Sequence, residues 1–153
     1  MKRFMIFRIL VASLFLAIVP ASAGASTIEI IYIGADDCFY CQHWEAARRP
    51  ELLSLLRGTG ARLVEIRAES VSKPVLEGHF PAAYRWAFRA AGPIRVLPSF
   101  LLTVDGKIVL KVRGTSAYTE VFEPALRARL AAVPAGRDPG DGVSLRSPGS
   151  RRP

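Results

Sequence analysis

Cysteine is scarce in this chain of 153 residues: Cys38 and Cys41 are the only two. A small secreted domain held by structural disulfides needs more of them, joining distant positions, so such a framework is excluded. Long apolar runs are missing after residue 20, and a bilayer core takes about 20 such residues to cross. Histidine is limited to His43 and His79. Gln42 follows Cys41 where c-type haem attachment requires His, which excludes that haem. No stretch concentrates charge of one sign. The net charge is +8, but the first 23 residues carry three bases without an acid and the last twenty a surplus of two. Residues 24–133 are left near +3 with both signs interleaved, a solvated surface and not a nucleic-acid stripe. There is no internal repeat.

What is present divides into three. Residues 1–23 begin with Lys2, Arg3 and Arg8, continue through an apolar run from Ile9 to Val19, and end in Pro20 and Ala21-Ser22-Ala23. That is a secretory signal peptide cut before Gly24, and it implies a periplasmic or secreted protein. The rival, an uncleaved anchor, would have to span the membrane with eleven apolar residues. Residues 24–133 form one domain of ordinary size. Residues 134–153, rich in Pro, Gly and Arg and poor in apolar side chains, form a disordered tail.

Within the domain, Thr27 to Ile33 is β-branched and aromatic and reads as a buried strand. Gly34 to Asp37 turns the chain, and Asp36 or Asp37 is expected to cap a helix from Cys38 to about Arg48. Pro50 kinks that helix or starts a second piece, Glu51 to Arg57. Arg62 to Ala68 reads as a strand and residues 69–79 as an irregular connection. A helix is expected from Phe80 to Ala91, with Tyr84 and Phe88 on one face. Val96 to Val104 and Lys107 to Arg113 flank Asp105-Gly106 as a hairpin. A last helix, 117–132, carries Phe122, Leu126 and Leu130 on one side, with Pro124 in its first turn or bending it. The crossover rule makes the first two strands parallel, and the hairpin adds antiparallel ones. The fold class is therefore α/β, a central mixed sheet of about four strands flanked by helices.

The two cysteines carry the chemistry. A bridge between Cys38 and Cys41 encloses two residues, so it removes little unfolded-state entropy and stability is a poor reason for it. Redox exchange is a better one. A thiol at a helix N-terminus is stabilised as thiolate by the dipole and by free backbone N–H groups, whereas the charges of Asp36 and Asp37 oppose it. Cys38 is the candidate nucleophile and Cys41 the resolving thiol. Phe39 and Tyr40 are candidates for an apolar docking rim, or else pack at the helix start. Trp44 reads as core or groove wall. Glu65, mid-strand between Val64 and Ile66, is a candidate proton relay to Cys41 or a solvent-facing strand residue. Cys38, Cys41, His43 and His79 together offer donors suited to Zn or Cu(I), but their spacing matches no strong metal pattern.

The strand–turn–CxxC–helix order, the segment Val96-Leu97-Pro98-Ser99-Phe100 and the hairpin closed by Gly114 together resemble the thioredoxin superfamily over about residues 27–132. Cys-x-Tyr-Cys-x-x-Trp is loosely similar to periplasmic thioredoxin-like proteins of sulfur-oxidation systems. The resemblance implies a cis peptide at Pro98 beside the disulfide, with the Leu97 backbone pairing an extended substrate segment. Asp37 and Phe39-Tyr40 depart from the family's Trp-Cys-Gly-Pro-Cys, so the redox direction does not carry over. Glu29, nine residues before Cys38, is too early for the family's buried acid. The implied activity is protein-disulfide oxidoreduction by a monomer, with no cofactor beyond the Cys38–Cys41 disulfide. The implied partners are protein thiols or disulfides, and because the outside compartment has no soluble reducing pool, a membrane thiol–disulfide electron donor is expected to recycle the protein. A copper-handling module or a non-catalytic binding module on the same fold is the alternative.

Overall fold

The computed structural model describes residues 26–132. The leader at 1–23, the tail at 134–153 and the ends of the 24–133 domain lie outside the described residues.

The β-branched run folds as β1 (Ile28–Ala35), every residue of it buried. Next come α1 (Phe39–Ala47) and α2 (Arg49–Leu56), the second beginning with Pro50 in its first turn, where a missing N–H costs nothing. Strand β2 (Arg62–Ala68) follows. A loop with two short 3₁₀ turns leads to α3 (Arg85–Ala91). The hairpin is β3 (Ser99–Val104) and β4 (Lys107–Arg113). The described residues end in a continuous helical stretch: α4 (Thr115–Ala117), a π-helical segment Tyr118–Phe122, and α5 (Glu123–Ala132).

The sheet order is β2-β1-β3-β4, with β1 parallel to β2 and the other pairs antiparallel. The mixed four-stranded sheet expected from the sequence is present. Asp105 (φ 51°) and Gly106 (φ 72°) both take the left-handed backbone that a two-residue hairpin turn requires.

Several boundaries differ from expectation, and three of the differences have a clear physical reason. The Phe80–Ala91 helix is shortened to α3, because Tyr84 leaves helical geometry at ψ 3°. Its hydroxyl donates to the buried Glu29 carboxylate at 2.8 Å. The strand expected from Val96 starts only at Ser99, since Pro98 has no N–H to give the ladder. The last helix contains the π segment just before Pro124, where the Glu123 N–H reaches back to the Tyr118 carbonyl.

Side chains alternate across a strand, so Glu29 and Tyr32 point to opposite faces of β1. Tyr84, on the approach to α3, meets Glu29 on one face. On the other, Tyr32 stacks on Trp44 of α1 at 4.5 Å and contacts Phe100 at 5.5 Å. Phe100 in turn packs on Tyr118 and Phe122 at 4.7 and 5.7 Å. Helices therefore cover both faces. This aromatic cluster lies at the C-terminal half of β1 and anchors the helix that carries the cysteines.

Candidate functional site

The turn after β1 places Cys38 at the N-cap of α1, in extended geometry (φ −93°, ψ 106°). The expected cap by Asp36 or Asp37 is replaced by the cysteine itself: its Sγ accepts the Cys41 N–H at 3.2 Å. Cys38 N–H donates to the Ala35 carbonyl at 3.2 Å, closing the turn. Asp37 is drawn away by the loop after β2. Its carboxylate accepts from the Ser70 hydroxyl at 2.5 Å and the Val71 N–H at 2.8 Å. Those two bonds hold its pKa below the ordinary carboxylate value.

Cys38 and Cys41 are joined as a disulfide, with Cα atoms 5.1 Å apart. Cys41 is fully buried and Cys38 only 2% exposed, whereas Phe39 and Tyr40 between them are 74% and 62% exposed. The two aromatic rings meet edge-on at 5.6 Å. Ile33 pairs with Ser99, and this register carries Leu97 and Pro98 alongside the end of β1, where the disulfide sits. The Leu97–Pro98 peptide is cis, and the Pro98 carbonyl accepts from Gly114 at 2.8 Å. Val71, clamped to Asp37, and Val96, next to Leu97, are both exposed. Phe39, Tyr40, Val71 and Val96 thus bring apolar surface from three chain segments around one disulfide.

No family model matches this chain, and no curated protein matches it. Among solved structures it is similar to the periplasmic thioredoxin SoxS from Paracoccus pantotrophus in its reduced form. That pair shows 20% identity and a TM-score of 0.44, covering 67% of this chain and 94% of the other. It is also similar to Chlamydomonas reinhardtii thioredoxin f2, with 19% identity, a TM-score of 0.43, and coverage of 70% and 82%. Likenesses of this size assign no residue a role. Sheet order and the position of the CxxC disulfide define the architecture. The chain has a thioredoxin-like fold.

Within this thioredoxin-like fold, Glu65 lies on β2 opposite Tyr32 of β1. Both its oxygens accept from Arg49 of α2, at 2.6 and 3.1 Å, on a solvent-facing stretch of β2. Arg49 reaches Glu65 from α2, which supplies a guanidinium over that strand face. Glu45 lies one helical turn on from Cys41, along the same stripe of α1. It accepts from the Tyr32 hydroxyl and from Arg67, both at 2.6 Å. Burial pushes the Glu45 pKa up, but the Arg67 and Tyr32 hydrogen bonds outweigh it and hold the group below the usual range. Burial first, then the Glu45 hydrogen bond and charge, push the Tyr32 phenol well above its ordinary value. Sequence reasoning missed Glu45, although its i+4 spacing from Cys41 was a visible signal.

Trp44 is core. His79 turns its Nδ1 to the Leu76 N–H at 2.9 Å, within its own loop. Among the described residues, no three of His, Cys, Asp and Glu lie where they could share a metal ion. Among those residues, too, no helix is long and apolar enough to cross a membrane.

Proposed function

We propose that this chain is an exported thiol–disulfide oxidoreductase that reduces or exchanges disulfides of periplasmic or secreted proteins. Cys38 is the nucleophile and Cys41 the resolving thiol. The observation that carries this reading is the Cys41 N–H held 3.2 Å from the Cys38 sulfur at the N-cap of α1. In the reduced protein that donor and the helix dipole favour thiolate at position 38.

The exchange balances as follows. The Cys38 thiolate attacks one sulfur of a client disulfide, forming a mixed disulfide and releasing the other client sulfur as thiolate. Cys41, losing its proton, attacks the Cys38 sulfur and expels the remaining client thiolate. Two electrons pass to the client, and the protein is left with the Cys38–Cys41 disulfide. A membrane thiol–disulfide donor returns the electrons. Phe39, Tyr40 and the Leu97–Pro98 backbone form the docking surface for an extended client segment. Export rests on the leader pattern of residues 1–23.

The test is the pH dependence of alkylation of the reduced protein. Cys38 is expected to titrate below the free-thiol value of about 8.5. A value at or above it overturns the activated-thiol reading. Cys41→Ser is expected to accumulate a client mixed disulfide on Cys38, and Cys38→Ser to accumulate none.

A further inference from the structure

A cleft of about 590 Å³ lies between the loop at residues 71–75 and the end of α3 with the segment that follows it. Its apolar wall includes Val71, Val75, Phe88 and Ile94, and its charged groups are Lys73, Arg89 and Arg95. No acidic residue lines it. Glu69 pairs with Lys73 and Glu77 with Arg89, the latter at 2.6 Å. Among the described residues, the exposed Arg95 pairs with no carboxylate.

The cleft is tied to the redox site through Val71. Val71 is hydrogen-bonded to Asp37, the neighbour of Cys38. Adding the covalent and hydrogen-bond lengths along that path puts the Val71 Cα no more than about 12 Å from the Cys38 Cα. An extended segment covers that distance in roughly three to four residues. On the other side Ile94 and Arg95 run directly into Val96-Leu97-Pro98.

We propose that this cleft is a client-selecting subsite. It takes an apolar side chain of the client segment, while Arg95 binds a carboxylate next to that side chain. The inference rests on the oxidoreductase reading and narrows its substrate to acidic, extended segments a few residues from the reactive client cysteine. The charge decides the occupant. The chain's own tail carries four arginines against two aspartates, and a second copy without its leader is still at about +5, so neither brings a surplus of carboxylates to the unpaired Arg95. The volume fits one or two side chains of a peptide.

The test uses the full oxidised chain and two peptides, Ser-Gly-Gly-Leu-Glu and Ser-Gly-Gly-Leu-Lys, with Ser in place of the client cysteine. Two-dimensional NMR titration reads binding without turnover. The Glu peptide is expected to shift the amides of Val75, Ile94 and Arg95 and to bind about 3–10-fold more tightly than the Lys peptide. R95E is expected to invert that preference, an outcome misfolding does not produce. Equal affinities, shifts confined to other surfaces, no binding at millimolar peptide, or an R95E variant that weakens both peptides alike overturn the subsite. Exchange with 2-hydroxyethyl disulfide, run on the reduced wild-type protein, tests the oxidoreductase reading by itself. A protein that fails that exchange but discriminates the peptides keeps the subsite and loses the redox role.

Discussion

Replacing Glu45 by Gln keeps the side chain's shape and removes its charge. In the native protein one Glu45 oxygen accepts from both Arg67 and the buried Tyr32 hydroxyl, each at 2.6 Å, and the carboxylate side chain is 23% exposed. Hydrogen bonds to a charged group contribute about 1.5–3 kcal/mol net. Arg67 is 43% exposed, so solvent screening discounts its share. Gln keeps an acceptor for one of the two donors. The expected loss at pH 7 is therefore about 1–2 kcal/mol, or roughly 5–10 °C in Tm for a domain of this size.

The pH dependence gives the sharper check. The folded Glu45 pKa lies below its unfolded value, so the folded state holds the carboxylate charged where the unfolded state begins to protonate. Its contribution is complete above about pH 5 and lost as pH falls through the folded value. Urea unfolding of the oxidised proteins, followed by circular dichroism, should show the gap between wild type and Glu45→Gln wide at pH 7 and closing toward pH 2. A gap that stays constant from pH 7 to 2, or that is absent at pH 7, refutes the network as described.

Other consequences can be checked alongside. Gly34→Ala would set a Cβ 2.3 Å from the Tyr32 hydroxyl oxygen, and that ring is held against Trp44 and Phe100. A loss of about 1–3 kcal/mol is expected, partly recovered in the Tyr32→Phe background, and a fully stable Gly34→Ala would contradict the packing. Replacing Phe39 and Tyr40 together by Ala should leave Tm within about 2 °C, since both side chains stand in solvent, yet lower kcat/KM in insulin reduction by roughly 3–10-fold. Unchanged insulin turnover would remove them from the docking surface. Glu65→Gln should leave the rate of the resolving step unaltered and cost less than about 1 kcal/mol, because its Arg49 partner is a surface pair. A slowed resolving step would restore the relay.

Much of this architecture could be read along the chain because the relevant signals are local. Alternating or continuous apolar runs marked β1, β2 and the hairpin strands, with β2 and β4 falling on the residues expected. Asp105-Gly106 marked the turn through its left-handed backbone, and Pro50 marked a helix start through its missing N–H. The spacing of Cys38 and Cys41 marked the bridge, since residues three apart at a helix start are within reach of each other. Where a neighbour distant in sequence competes for a side chain, the local signal failed. Asp37 was expected to cap α1, but Ser70 and Val71 claim its carboxylate from the next loop. Arg49 reaches Glu65 from another element, a pairing that no local pattern marked.

The sequence by itself therefore determined the element order, the parallel first crossover, the hairpin and the paired cysteines, all consequences of periodicity and backbone chemistry within a few residues. Only the tertiary structure decided that the first cysteine caps its own helix, that Glu45 is shared between Tyr32 and Arg67, and that a cleft with an unpaired Arg95 opens behind the loop held by Asp37. Those depend on which charged and polar groups meet after the helices close over the sheet. That outcome is set by long-range packing, and no short window of residues contains it.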